Sequence, residues 1–191
     1  MSTFIDILLS ATTVPLEIEE LLRRHIVQKS IVKGTVLQKS GDLKHKTYFV
    51  NIGLLSSYSI DEKGKKHIFM FAPENWVVSD IDSQAYDSPA VLFIDALEDS
   101  TIEIIDNELF NILDHLPNEI VHKQVRTLFR RVAALQRRVL MLMSASATQR
   151  YQEFTKTYPG IVERVPQHMI ASYLGITPES LSYIRGKIAR G

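Results

Sequence analysis

The sequence predicts an α+β protein in three consecutive pieces: an all-β roll, one long helix and a small helical module at the end. Three observations predict it. Between Ile31 and Ile105 short β-type runs such as "TYFVNIGLLSSYSI" and "KHIFMFA" alternate with turn signals. From Val121 to Leu142 apolar residues recur at the 3.5-residue period of a coiled-coil seam. In "ASYLGITPESLSYIRGKI", Ala171 to Ile188, two short helical patterns meet at a glycine. The expected division is a roll with an N-terminal helix over 1–117, a dimerisation helix over 118–146 and a helix-turn-helix over 147–191.

The N-terminal helix is expected in "LEIEELLRRHI" after Pro15, where Leu16, Ile18, Leu21, Leu22 and Ile26 give the patterning. In the roll, "SIDEKGKKHI" is the clearest hairpin. Two apolar runs flank Asp61-Glu62-Lys63-Gly64, and Gly64 can take positive φ. Gly34, Gly41-Asp42, Gly53 and Pro73-Glu74-Asn75 mark further corners. Short, regularly punctuated strands suit an antiparallel barrel or roll, not a parallel sheet.

Pro117 closes the roll, and the long helix should begin near Asn118. Its ridge is Val121, Val125, Leu128, Val132, Leu135, Val139 and Leu142. Read as heptads, valines fill the a positions from Val125 and leucines the d positions from Leu128. β-branched a with leucine at d favours a parallel two-stranded coiled coil, hence a homodimer. The competing expectation is a single helix packed on its own domain, with Phe129, Ala133, Leu140 and Met143 as a second stripe. A core-facing helix drifts toward a wider stripe of 3.6 period, which favours the seam. After Met143, "SASATQR" loosens the pattern and suggests a hinge. "RYQEFTKTY" then reads as another helix, ended by Pro159-Gly160.

The chain has 191 residues, 22 Lys and Arg against 22 Asp and Glu, and no Cys. That excludes disulfides, thiolate metal sites, cysteine-ligated clusters and cysteine nucleophiles. "MSTFIDILLS" lacks a basic n-region, and no stretch reaches the ~20 apolar residues needed to span a bilayer, so a cytoplasmic, non-membrane protein is expected. The neutral total hides an asymmetry. Residues 1–117 carry 10 basic and 18 acidic side chains, whereas residues 118–191 carry 12 basic and 4 acidic. Such a split points to a polyanion partner for the second half, or to attraction between the halves. No Ser/His/Asp set, metal-ligand cluster or phosphate loop occurs at useful spacing, so no enzyme is expected. Asp80 and Asp82 read as a solvated strand face.

In the terminal module Pro166 suits the first turn of one helix, Gly175 its left-handed end, and Thr177-Pro178-Glu179 the start of the next. Ile170, Ala171, Leu174, Ile176, Leu181 and Ile184 supply the small core. This is a helix-turn-helix pattern, whose second helix enters the DNA major groove. The candidates for base or groove contact are Glu179, Ser180, Ser182 and Tyr183. Those for phosphate contact are Gln167, His168, Thr177, Arg185 and Lys187. Glu179 can accept from a cytosine amine or simply serve the helix dipole.

Taken together, "KGTVLQKSGD", "YFVNIGLL", "DEKGKKHIFMF", "ALEDSTIEII" and above all "RVPQHMIASYLGITPESLSYIRGKI" resemble the cyclic-AMP receptor/FNR (Crp/Fnr) family of transcription regulators, in a form with a short C-terminal helix-turn-helix. The resemblance implies a double-stranded β-roll, a jelly roll of the cyclic-nucleotide-binding type, a long dimerisation helix and a DNA-binding helix-turn-helix. It implies DNA as partner, RNA polymerase as a further one, and a small-molecule effector held in the roll. Two departures stand out. Members that bind cyclic nucleotides use a Gly-Glu pair and an Arg-Ser/Thr pair around the phosphate. The matching stretch here, "NWVVSDIDSQAYDSPAVLFIDALED", holds no Arg, Lys or Gly and five Asp between Asp80 and Asp99. Cyclic AMP is therefore not expected, no cofactor is assigned, and haem on His67 is disfavoured. An effector of another kind would lie near Val78, Ser79, Asp80 and Tyr86 with Arg126 or Arg130, unless Tyr48, Phe49, Tyr58, Phe69, Phe71, Trp76, Tyr86 and Phe93 are simply core. The second departure is Tyr183, where family members usually carry Arg. With Gly186 it leaves open a degenerate member that acts through protein contacts.

Overall fold

The computed structural model describes residues 2–10, 14–44, 46–106, 108–109, 112 and 116–189. Two short helices, α1 (Phe4–Leu9) and α2 (Leu16–Arg24), precede eight strands: β1 (Ile26–Ile31), β2 (Val36–Gln38), β3 (Lys46–Ile52), β4 (Leu55–Ile60), β5 (Lys66–Ala72), β6 (Val77–Val78), β7 (Phe93–Ala96) and β8 (Ser100–Asp106). A helix, α3 (Ile81–Tyr86), lies between β6 and β7. The strands form two four-stranded antiparallel sheets, in the orders β1-β8-β3-β6 and β2-β7-β4-β5. This is the expected roll.

The alternation along β3 explains how both faces of the first sheet are covered. Tyr48 and Val50 join Leu55, Ala72, Val78, Ile94 and Ile102 in the core shared by the two sheets. Phe49 points the other way and packs with Ile5, Leu8, Leu22, Ile105 and Ile120, so the flanking helices cover that face. Glu103 on β8, itself buried, accepts from the Phe4 backbone N–H at 2.8 Å and from Asn51 Nδ2 at 2.9 Å. That pairing seats α1, a helix the sequence reading missed. Its local signal was a capping box, Thr3 and Asp6 bonding each other's backbone N–H.

Two compact units emerge: residues 1–59 with 69–126, and residues 60–68 with 127–191. The hairpin tip therefore groups with the helical unit. At the tip Asp61 accepts from the backbone N–H groups of Lys63 and Lys65 and meets His67 Nε2 at 2.8 Å. The hydrogen bond from His67, foremost, holds the Asp61 carboxyl below the usual carboxylate range. His67, at the start of β5, thus braces the hairpin turn through Asp61.

The remaining helices are α4 (Asn118–Ser144), α5 (Ala147–Thr157), α6 (Ile161–Arg164), α7 (Gln167–Leu174) and α8 (Pro178–Ile188). The loosened stretch after Met143 does break the helix. Ser146 restarts the chain with a capping box to Gln149. Pro166 occupies the N-cap of α7, directly before the first turn that the sequence reading assigned it.

Gly53, between β3 and β4, sits at φ +96°, and a Cβ there would come within 2.2 Å of Ser100 Oγ and 2.8 Å of the Asp99 carbonyl oxygen. Both the backbone and the space demand glycine. Gly53→Ala should destabilise the protein by about 3 kcal/mol, from left-handed strain plus overpacking. The check is a lowered urea midpoint, with Gly64→Ala, open within 4 Å, losing clearly less.

Candidate nucleic-acid interface

In the terminal module, Gly175 carries α7 into the turn at φ 65°, and its N–H and that of Ile176 bond the carbonyls of Ser172 and Ala171. A Cβ on Gly175 would meet only ordinary contacts, so dihedral preference alone requires glycine here. Thr177 caps α8 by accepting from Ser180 N–H at 3.2 Å, with Pro178 following at the first helical position. Ile170, Ala171, Leu174, Leu181 and Ile184 are buried where α7 meets α8; Ile176 is only half-buried. Beneath them Phe154, Tyr158 and Tyr173 form a ring triad with centroids 5.2 to 5.5 Å apart.

With Leu181 and Ile184 turned inward, α8 presents Glu179, Ser180, Ser182, Tyr183 and Lys187 outward. Thr177, Gln167 and His168 are exposed too. Tyr183 is 73% exposed. Arg185 is half-buried and lines a shallow cleft with Tyr151, Gln167, Ser182 and Gly186. The fold thus brings every sequence-named contact residue onto α8, its cap or the first turn of α7. Their availability differs. The Glu179 carboxyl is held below its ordinary range by its own backbone N–H and then by the Thr177 hydroxyl. Ser180 Oγ lies 3.2 Å from Thr177 Oγ1. The Thr177 and Ser180 hydroxyls already serve the cap.

Along α4 the ridge divides. Val121 packs on the helix-covered core of the first unit, so it is not part of a free seam. From Val125 onward the ridge is open: Val125, Leu128, Val132, Leu135, Val139 and Leu142 are 42 to 57% exposed. Phe129, Leu140 and Met143 are exposed as well, so the second stripe is not packed on its own domain.

Sequence reading missed the hairpin tip as a neighbour of the module. Ser172 of α7 accepts from Ile68 N–H at 3.0 Å and donates to the Lys66 carbonyl at 2.8 Å. Arg138 of α4 donates to the Ile68 carbonyl at 3.3 Å and lies 4.0 Å over the Tyr173 ring. The hairpin, the long helix and α7 therefore meet at Ser172, Tyr173 and Arg138.

Of the effector candidates, Val78 is core and Asp80 is 1% exposed. The Asp80 carboxylate accepts from Val91 N–H at 2.7 Å, Leu92 N–H at 2.8 Å and Ser83 N–H at 3.4 Å. It fastens its own loop. Tyr86 is largely exposed, Ser79 half-buried, and Arg126 and Arg130 exposed. Tyr48, Phe49, Tyr58 and Phe71 are buried core, and Tyr58 stacks on Phe93 at 5.3 Å. Among the described residues no group of three or more His, Asp or Glu could hold a metal ion, and no helix is long and apolar enough to cross a membrane.

Ser172→Ala should release the hairpin tip. Amide exchange at Ile68 should speed up about tenfold or more, with exchange at Leu181 and Ile184 unchanged, read by mass spectrometry or NMR.

No protein-family model matches the sequence. The regulatory protein HlyX of Actinobacillus pleuropneumoniae is 29% identical over 178 residues, covering 85% of this chain and 72% of its own. The regulator CLP of Xanthomonas campestris, described as responsive to c-di-GMP, matches with a TM-score of 0.69 at 14% identity over 92% of each chain. A Crp/Fnr-family transcriptional regulator of Eubacterium rectale matches with a TM-score of 0.67 at 16% identity, over 93% of this chain and 85% of its own. The chain is thus similar in sequence to known regulatory proteins, and its fold is that of the Crp/Fnr family of transcription regulators.

Proposed function

We propose that the protein is a homodimeric, sequence-specific DNA-binding transcription regulator. The observation that carries this reading is the outward face of α8, polar and exposed over a buried apolar face, in the half of the chain with 12 basic and 4 acidic residues. Such a helix suits the major groove, and a two-fold protein suits palindromic sites one helical turn apart. The open Val125 to Leu142 ridge is the dimer seam of this reading. Arg185, Gln167 and Ser182, sharing one cleft, seat a backbone phosphate; Lys187 takes another.

The roll's role is to set the positions of the two helical modules, with or without a small-molecule effector. Cyclic AMP is not that effector here. The stretch matched to the phosphate site has no cation, and Asp80 fills its own cradle of N–H groups. RNA polymerase is the further partner in this account.

A second reading, a relative that acts through protein contacts alone, is favoured by one observation: Tyr183 stands where a guanidinium is usual. Gel-shift titration of the purified protein against genomic fragments separates the two. The regulator binds selected fragments, and binding weakens steeply with salt. Replacing Arg185 and Lys187 together by Ala should flatten the log–log salt slope by about 3 to 4 in the dimer, at ~0.9 for each phosphate no longer neutralised. No retained fragment at low salt would support the second reading.

A further inference from the structure

We propose that Tyr183 on α8 reads a thymine methyl group, so that the half-site carries a T·A pair at that contact. The inference rests on the DNA-binding function proposed for this helix and names the sequence class that its surface would take.

Guanine is read chiefly by Arg or Lys reaching both major-groove acceptors. On α8 the only cations are Arg185 and Lys187, in the last turn, whereas a recognition helix meets base edges with its N-terminal residues. Arg185 is half-buried and turned toward the cleft with Tyr151 and Gln167. Neither cation is placed for a base in the first two turns.

In the first turn Ser180 Oγ lies against the Thr177 hydroxyl and so serves the cap. What stands clear is Tyr183, one turn beyond Glu179 on the same face, with 73% of its surface open. Ser182 beside it is small. At Gly186, on the next turn, a Cβ would meet nothing within 4 Å, so no side chain separates the ring from an approaching groove floor. An exposed phenol with open space beside it offers a flat apolar face and one hydroxyl. In the major groove the 5-methyl of thymine is the apolar feature such a face contacts, and thymine O4 can accept from the hydroxyl. The surplus of basic residues in this half supplies the sequence-independent attraction that holds the helix in the groove.

The test is selection of binding sites from a random duplex library by the purified full-length protein. Competition with the selected duplex carrying deoxyuridine for thymidine then removes only the methyl groups. Each contacted thymine should contribute about fourfold in affinity, the worth of one buried methyl-sized group. Tyr183→Ala should lose that sensitivity, and Tyr183→Phe should keep it. Tyr183 is exposed, so both variants should fold, as circular dichroism would verify. Selection of guanine-anchored sites indifferent to the uracil exchange would overturn this inference and leave the DNA-binding function standing. Failure to enrich any sequence would overturn both.

Discussion

The apolar ridge on α4 constrains everything else. Val125, Leu128, Val132, Leu135, Val139 and Leu142 occupy one line along the helix, and each leaves roughly half its surface to water. Apolar surface of this extent on one line marks an interaction site. Covering each side chain is worth about 1 kcal/mol. A 3.5-residue repeat with valine at a and leucine at d is the pattern that favours parallel two-stranded coiled coils. If the ridge is paired, two terminal modules are held in fixed relation, and a two-fold target becomes readable.

Polar groups in the rest of the molecule mostly fix backbone. Asp80 holds the 91–92 backbone, Glu103 holds α1, Asp61 closes the hairpin, and Thr177 starts α8. Asp80 and Glu103 are buried, and a buried acceptor left without a donor costs about 1 to 3 kcal/mol, so those two make one local conformation distinctly preferable. The Ser172 contacts belong to the same class. They tie a strand of the hairpin to the first helix of the helix-turn-helix, so a displacement of the tip would be felt at α7 without any change in the module's own core.

Much of the fold was legible because it is written in local pattern. The long helix announces itself by six successive steps of three and four residues. The hairpin does so by Gly64 between β-type runs, and the terminal turn by Gly175 followed by Thr177-Pro178. What escaped reading depends on distance. Ser172 and Ile68 are 104 residues apart, and Asp80 reaches amides 11 and 12 residues on. No periodicity tells a carboxylate which N–H groups it will find. The same limit applied to Val121, whose heptad position said seam but whose place near the start of α4 puts it on the core of the roll. For α8 the pattern names the candidate side chains, but only the cap geometry shows that the Thr177 and Ser180 hydroxyls already engage each other.

The pairing of the ridge is the claim on which paired recognition helices depend, and sedimentation equilibrium at micromolar concentration tests it without DNA, effector or mutation. The account predicts a particle of twice the 21.8 kDa chain mass. A single species at 21.8 kDa across that range would contradict it.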